Sequence, residues 1–105
     1  MGSIKKFTKK QSLAFFERIL KCIRKQKKGY FLLRKLRGAH GYCAWDEGIL
    51  VDYRKEFIPT IIHEVIHLLE PDWSEAQVIY VEKRVVNAIS EQDVIDLLKF
   101  FTRKL

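Results

Sequence analysis

The sequence of 105 residues predicts an α+β fold, with a small sheet of about three strands and helices packed on one face of it. Two observations support this prediction. Segments with apolar residues at helical spacing occupy both ends of the chain, and three short β-type runs bounded by turn signals lie between them. Because 48% of the residues are hydrophobic, the chain can bury one modest core, and we expect a single domain over residues 1–105.

The first helix is predicted from about residue 9 to residue 28. Thr8 and Gln11 fit a capping box, in which each side chain binds the backbone of the other residue. Gly29 ends the helix after a last turn rich in lysine, which suits the helix dipole. An apolar stripe predicts the buried face: Leu13, Phe16, Ile19, Leu20 and Ile23.

Three strands are predicted, at residues 30–36, 42–45 and 49–53. The segment Asp46-Glu47-Gly48 is a turn signal, so at least one pair of these strands forms an antiparallel hairpin. We expect the second strand to lie at the edge of the sheet. An exposed edge strand can hold an extended peptide through backbone hydrogen bonds, which makes Cys43, Ala44 and Trp45 candidate substrate-binding residues. The alternative is a plain hairpin strand.

Three helices are predicted after the strands. The first covers the apolar run from Phe57 to Leu69, with Pro59 in its first turn, where the missing N–H costs little. Ser74 caps the next helix, with Gln77 completing a second capping box, and this helix runs to about Ala88. Ser90 begins the last helix, whose apolar stripe is Val94, Leu97, Leu98, Phe101 and Leu105.

Residues 63–67 read His-Glu-Val-Ile-His, the most informative feature of the chain. On a helix, His63 and His67 are one turn apart on the same face, a spacing that lets both imidazoles bind one zinc ion. Glu64 stands where it can act as general base toward a water activated by the metal. The alternative is that these are hydrogen-bonded polar residues in the core of an ordinary buried helix.

A catalytic zinc site normally has three protein ligands. Glu82 is the preferred third ligand, because it lies on the apolar stripe of its helix and its inward carboxylate needs a cation. Glu75 lies on the same face seven residues earlier and is the second candidate. An ion pair with a basic residue is the alternative for Glu82. Zinc on these ligands, with Glu64 moving the proton, predicts hydrolysis of a peptide bond, for which Zn²⁺ is the expected cofactor.

The motif, followed by Pro71-Asp72-Trp73-Ser74-Glu75 and a helix carrying Glu82, resembles the gluzincin metallopeptidases, and the short length resembles the minigluzincins. The resemblance implies a zincin-like fold with an active-site helix and a glutamate helix. It also implies latency, with a C-terminal segment around residues 101–105 occluding the cleft. The chain departs from large gluzincins in the short gap between His67 and Glu82. An oxyanion-stabilising residue remains open between Tyr53, Tyr80 and His40.

Charge is unevenly distributed along the chain, whose net charge is +7. Residues 1–37 hold thirteen Lys or Arg and one acid, Glu17. This basic half suggests a second interpretation, a nucleic-acid-associated or interaction module with a structural or degenerate metal site, although a solvated helix face is favoured over nucleic-acid contact. A peptide or protein is therefore the expected partner.

No signal peptide and no transmembrane run is recognisable in the sequence, so we expect a cytoplasmic protein without a membrane partner. Cys22 and Cys43 are far apart in sequence and outside any C-x-x-C pair, which predicts two reduced, small apolar residues.

Overall fold

The computed structural model describes residues 4–44, 48–53 and 56–105. In these ranges the chain follows the predicted order of one helix, three strands and three helices, so the α+β class is confirmed. The elements are α1 (Lys9–Lys25), β1 (Phe31–Arg34), β2 (Gly41–Ala44), β3 (Gly48–Asp52), α2 (Phe57–Leu69), α3 (Glu75–Ala88) and α4 (Glu91–Thr102).

The predicted capping residues begin three of the helices. Thr8 and Gln11 form the expected capping box, and Ser90 forms another with Asp93. Helix α1 ends at Lys25, three residues earlier than predicted, because Gln26 already has extended dihedral angles. The turn that follows brings Tyr30 N–H onto the carbonyl of Lys27, at 3.1 Å, before β1 begins.

The capping box predicted at the start of α3 is only half formed. The Ser74 side chain accepts from Gln77 N–H as expected. The Gln77 side chain does not return the bond, because its amide binds the backbone of Lys5, accepting from the N–H at 2.6 Å and donating to the carbonyl at 3.0 Å. Further along, Tyr80 and Arg84 bind the backbone of Phe7. Residues 5–7, which we call the N-terminal strap, are thus fastened across α3.

The sheet is mixed, with strand order β1-β3-β2. The predicted hairpin is confirmed, since β2 pairs antiparallel with β3. Strand β1 pairs parallel with β3, and the sequence pattern did not predict this. Gly48 permits the parallel pairing. Its φ is +134°, and a Cβ at this position would overlap the carbonyl oxygen of Tyr30, which accepts from Ile49 N–H at 2.9 Å.

Helix α2 packs across β2 and β3 and is enclosed by α1 and α3. Its side chains Ile61, Ile62, Val65 and Ile66 are fully buried, as expected for a helix that is apolar nearly all round. One face of the sheet supplies Phe31, Ile49 and Val51 to the same core cluster. Helix α2 and strand β2 are therefore in direct contact.

The C-terminal residues are docked beside the start of β1. The carbonyl of Lys104 accepts from the N–H of Gly29 at 2.7 Å and from that of Phe31 at 3.4 Å. Phe101 is fully buried and contacts the rings of Phe31 and Phe57. In the ranges that the structure describes, no helix is long and apolar enough to cross a membrane.

Candidate metal centre

Helix α2 places the two motif histidines side by side on the face that looks out from the core. The rings of His63 and His67 have centroids 4.9 Å apart and planes inclined at 70°. Both side chains are partly exposed, 20% and 24% respectively, whereas the helical residues on the other side are fully buried. The predicted convergence of the two imidazoles is present in the structure.

The first turn of α3 brings a carboxylate onto both histidines. Glu75 Oε1 lies 2.6 Å from Nε2 of His63 and 3.4 Å from Nε2 of His67. Among the described residues, these three form the group of ligand atoms that lie within 4.8 Å of one another. Three residues from two helices are therefore placed to hold a metal ion together.

Glu82 points inward as predicted, with 17% of its side chain exposed, but it occupies another place. Its Oε1 lies 2.9 Å from Nδ1 of His63, on the side of the ring opposite the nitrogen that faces Glu75. The placement of Glu82 does not support its predicted role as third ligand. Glu75, the second candidate, lies where that ligand is needed, because the preceding turn carries the start of α3 toward α2.

The hydrogen bond to Glu82 also determines which nitrogen of His63 is available. With Nδ1 hydrogen-bonded to the Glu82 carboxylate, Nε2 is the nitrogen directed at Glu75 and His67, and a carboxylate behind the ring is typical of metal-binding histidines. Burial lowers the pKa of His63, but the Glu82 hydrogen bond and the nearby carboxylates outweigh burial and raise it.

The donor set fits a borderline metal such as zinc. Two imidazole nitrogens and one carboxylate oxygen are the ligands of many catalytic zinc sites, whereas magnesium and calcium prefer oxygen alone. Ligands at about 2.1 Å in tetrahedral geometry are roughly 3.4 Å apart. The Glu75 oxygen lies 3.4 Å from His67 Nε2 and 2.6 Å from His63 Nε2, and all three ligand atoms lie within 4.8 Å of one another.

Glu64 is buried, with 8% of its surface exposed, and still lines the cleft. Burial raises the pKa of its carboxyl to about 7; the charge of His63 opposes this shift and that of Glu75 adds to it. A carboxyl with a pKa near neutrality can both accept and return a proton, as a general base requires.

The cleft that contains these groups has a volume of about 560 Å³ and lies between α2, α3 and strand β2 with the loop before it. Strand β2 is an edge strand, as predicted. Since Asp52 N–H donates to His40 carbonyl at 2.7 Å, the antiparallel alternation directs the N–H and C=O groups of Gly41 and Cys43 away from β3. The edge beside the three candidate ligands therefore presents unpaired backbone groups in the described part of the sheet.

The structure gives a different result for each of the three predicted substrate-binding residues, Cys43, Ala44 and Trp45. Cys43 lines the cleft as a free, half-buried thiol, and burial together with Glu64 raises its pKa to about 11, so it stays protonated. Ala44 ends β2. Trp45 lies outside the described residues.

Of the three oxyanion candidates, only His40 lines the cleft. Tyr80 binds Phe7 N–H through its hydroxyl. None of residues 101–105 lines the cleft either, so their placement gives no support to occlusion by the C-terminus.

Gly41 is a site residue that the sequence argument missed. A Cβ at this position would lie 2.8 Å from both Glu64 Cγ and Thr60 Cγ2. The only signal was the pair of glycines in Gly38-Ala39-His40-Gly41, which reads as a loop. The need for glycine becomes visible only once α2 and β2 are in contact.

Comparison of the chain with protein-family models, curated proteins and solved structures gives no match. The geometry of the cleft is therefore the basis on which a function is inferred.

Proposed function

We propose that the chain is a zinc-dependent peptidase in which His63, His67 and Glu75 hold the metal. The observation that carries the proposal is the convergence of both Nε2 atoms and the Glu75 carboxylate in one cleft, next to the buried carboxylate of Glu64. The resemblance of this helix pair to gluzincins, and of the chain length to minigluzincins, agrees with a zincin-like fold. The proposal replaces Glu82 by Glu75 as third ligand.

When bound, the metal supplies a Lewis acid that polarises the substrate carbonyl and lowers the pKa of water. Glu64 takes the proton from the attacking water and returns it to the leaving amine. Glu82 binds Nδ1 of His63 and so holds the ring in the orientation and tautomer that present Nε2 to the metal.

The substrate is an extended peptide that pairs with the outward backbone groups of Gly41 and Cys43. Such pairing places the peptide along the wall of the cleft that faces α2. His40 lines the same cleft, and its role in the proposal is to donate a hydrogen bond to the oxygen that becomes negative during attack.

Glu64→Gln tests the proposal with a matched control. The variant keeps the shape of the side chain and all three ligands, so zinc content should remain at one per chain while hydrolysis of a fluorogenic peptide library is abolished. Glu56→Gln is the control, because Glu56 also lines the cleft but is exposed and caps no backbone group with its side chain. It should retain activity within a few-fold.

Two results would contradict the proposal. Hydrolysis that survives in Glu64→Gln, with zinc still bound, removes Glu64 from the mechanism. A wild-type chain that takes up no zinc under neutral conditions removes the metal site itself and leaves His63 and His67 as polar residues paired with carboxylates.

A further inference from the structure

A second charged feature lies away from the cleft, where the C-terminal ends of α1 and α4 meet. The guanidinium groups of Arg24 and Arg103 both contact the ring of Phe100, with Cζ atoms 5.0 and 5.8 Å from its centroid. Phe100 thus holds two like charges close together on the surface. Neither arginine lines the cleft.

Four lysines extend this feature. Lys21 is exposed one turn before Arg24, and Lys99 is exposed one turn before Arg103. The bond from Gly29 N–H to the Lys104 carbonyl, at 2.7 Å, brings Lys28 next to Lys104. We call this set of residues the α1–α4 basic surface: Lys21, Arg24, Lys28, Lys99, Arg103 and Lys104.

The six basic residues of this surface make no ion pair closer than 4.0 Å within the described part of the chain. No described carboxylate lies within 4.0 Å of Arg24 or Arg103. Arg18, on the same helix α1, differs from them. It contacts the Phe15 ring and also pairs with Glu70 at 3.0 Å. Cations at helix C-termini gain stability from the helix dipole. That gain explains single basic residues, but it does not explain two arginines sharing one ring without a carboxylate.

We propose that the α1–α4 basic surface binds the phosphate backbone of a nucleic acid without reading its sequence. Arginine forms two parallel hydrogen bonds to phosphate oxygens, and the shared ring keeps both guanidiniums on one surface, where a strand carrying one phosphate per ~3.4 Å of helix axis could contact them. Three of its six residues, Lys21, Arg24 and Lys28, come from residues 1–37, which hold thirteen basic residues and one acid, so the long-range field on the α1 side favours a polyanion. This contact is separate from the cleft and does not depend on the peptidase proposal.

The experiment measures fluorescence anisotropy of a labelled, mixed-sequence DNA duplex of about 20 base pairs with the full-length chain, between roughly 50 and 200 mM salt. Log K should fall linearly with log salt. Arg24→Gln and Arg103→Gln should each lower the slope by about 0.9 and weaken binding equally for unrelated sequences. Lys83→Gln is the control, since it removes one exposed charge from α3, outside this surface, and should leave the slope unchanged.

Circular dichroism melts confirm that each variant folds. Equal loss in Lys83→Gln and the arginine variants would show attraction by net charge alone and overturn the assignment of the surface. Absence of binding at the lowest salt would overturn it as well. Tighter binding to phosphatidylserine vesicles or to polyglutamate than to the duplex would assign the surface to a membrane or an acidic protein instead.

Discussion

Gly41 and Glu64 meet where strand β2 crosses helix α2, and no side chain at position 41 fits between them. A Cβ there would lie 2.8 Å from Glu64 Cγ, closer than Cβ atoms normally approach a neighbour. Strand β2 and Glu64 can therefore be in contact only because residue 41 has no Cβ. This contact between Gly41 and Glu64 brings a buried carboxylate next to the exposed backbone edge of β2.

Gly41→Ala is expected to impair hydrolysis far more than metal binding. The added methyl pushes Glu64 and Thr60 away, while His63 and His67 point elsewhere from the same helix. A displacement of ~1 Å at a catalytic group costs on the order of 10² in rate, and overpacking costs about 1–3 kcal/mol of stability. Steady-state kinetics and zinc titration measure the two effects.

Gly38→Ala is the control for this prediction. Its φ of +70° makes alanine strained, yet a Cβ there meets nothing within 4 Å. We expect a loss of roughly 1 kcal/mol in stability and little change in rate per folded molecule. Equal rate losses in the two variants would show that strain, not contact with Glu64, is responsible.

The two glutamates of α3 should differ in what they do for the metal. Glu75→Gln removes a ligand and is expected to abolish tight zinc binding, whereas Glu82→Gln removes the partner of His63 Nδ1 and should weaken it by about 10–100-fold. Competition with a chromogenic chelator measures both affinities. If Glu82→Gln loses zinc and Glu75→Gln keeps it, the sequence-based choice of ligand is restored.

The metal-free chain should lose stability as pH rises through the range from about 4.5 to 7. Burial raises the pKa of Glu64 from 4.5 to about 7, so the folded state binds a proton that the unfolded state has released. The free energy of unfolding therefore falls with pH in this window, by roughly 3 kcal/mol for this group. The raised pKa of His63 acts in the same direction, since its contribution is lost as pH rises above 6.5.

Urea unfolding of the wild type and of Glu64→Gln, both without metal, isolates this effect from other carboxylates. The stability advantage of the variant should grow as pH increases from about 4.5 to 7. A constant difference across this range would show that Glu64 titrates as an ordinary exposed carboxyl.

The N-terminal strap should stabilise the position of α3. Gln77 is 6% exposed and makes two hydrogen bonds to the backbone of Lys5, so Gln77→Ala loses both bonds and is expected to cost about 1–3 kcal/mol. Gln92→Ala is the control, because this exposed amide makes one bond, to Asp96, and should change stability by less than about 0.5 kcal/mol. Thermal unfolding distinguishes them.

Removal of residues 103–105 should destabilise the chain without activating it. The deletion removes the Lys104 carbonyl that binds the N–H groups of Gly29 and Phe31, at a cost of roughly 1–3 kcal/mol. Lys104→Ala keeps that carbonyl and should be nearly neutral. A gain in peptidase activity after deletion would contradict the placement of these residues outside the cleft and revive the latency expected from the gluzincin resemblance.

Local patterns predicted much of the fold because each depends on near neighbours. The caps at Thr8, Ser74 and Ser90, the apolar run of α2 and the hairpin between β2 and β3 all follow from spacings within a few residues. The earlier end of α1 and the parallel pairing of β1 with β3 were not predicted. The parallel pairing depends on a contact distant in sequence, between Gly48 and the Tyr30 carbonyl.

The candidate site shows the same difference between local features, which the sequence predicted, and long-range contacts, which it did not. The sequence by itself determined that His63 and His67 share a helix face, with Glu64 beside them and Glu82 turned inward, because helical periodicity fixes these directions. Only the tertiary structure decided that Glu75 reaches both Nε2 atoms and that Glu82 binds Nδ1. That choice depends on the angle at which α3 leaves the turn after α2, and a distance across two helices is not encoded in the spacing of either one.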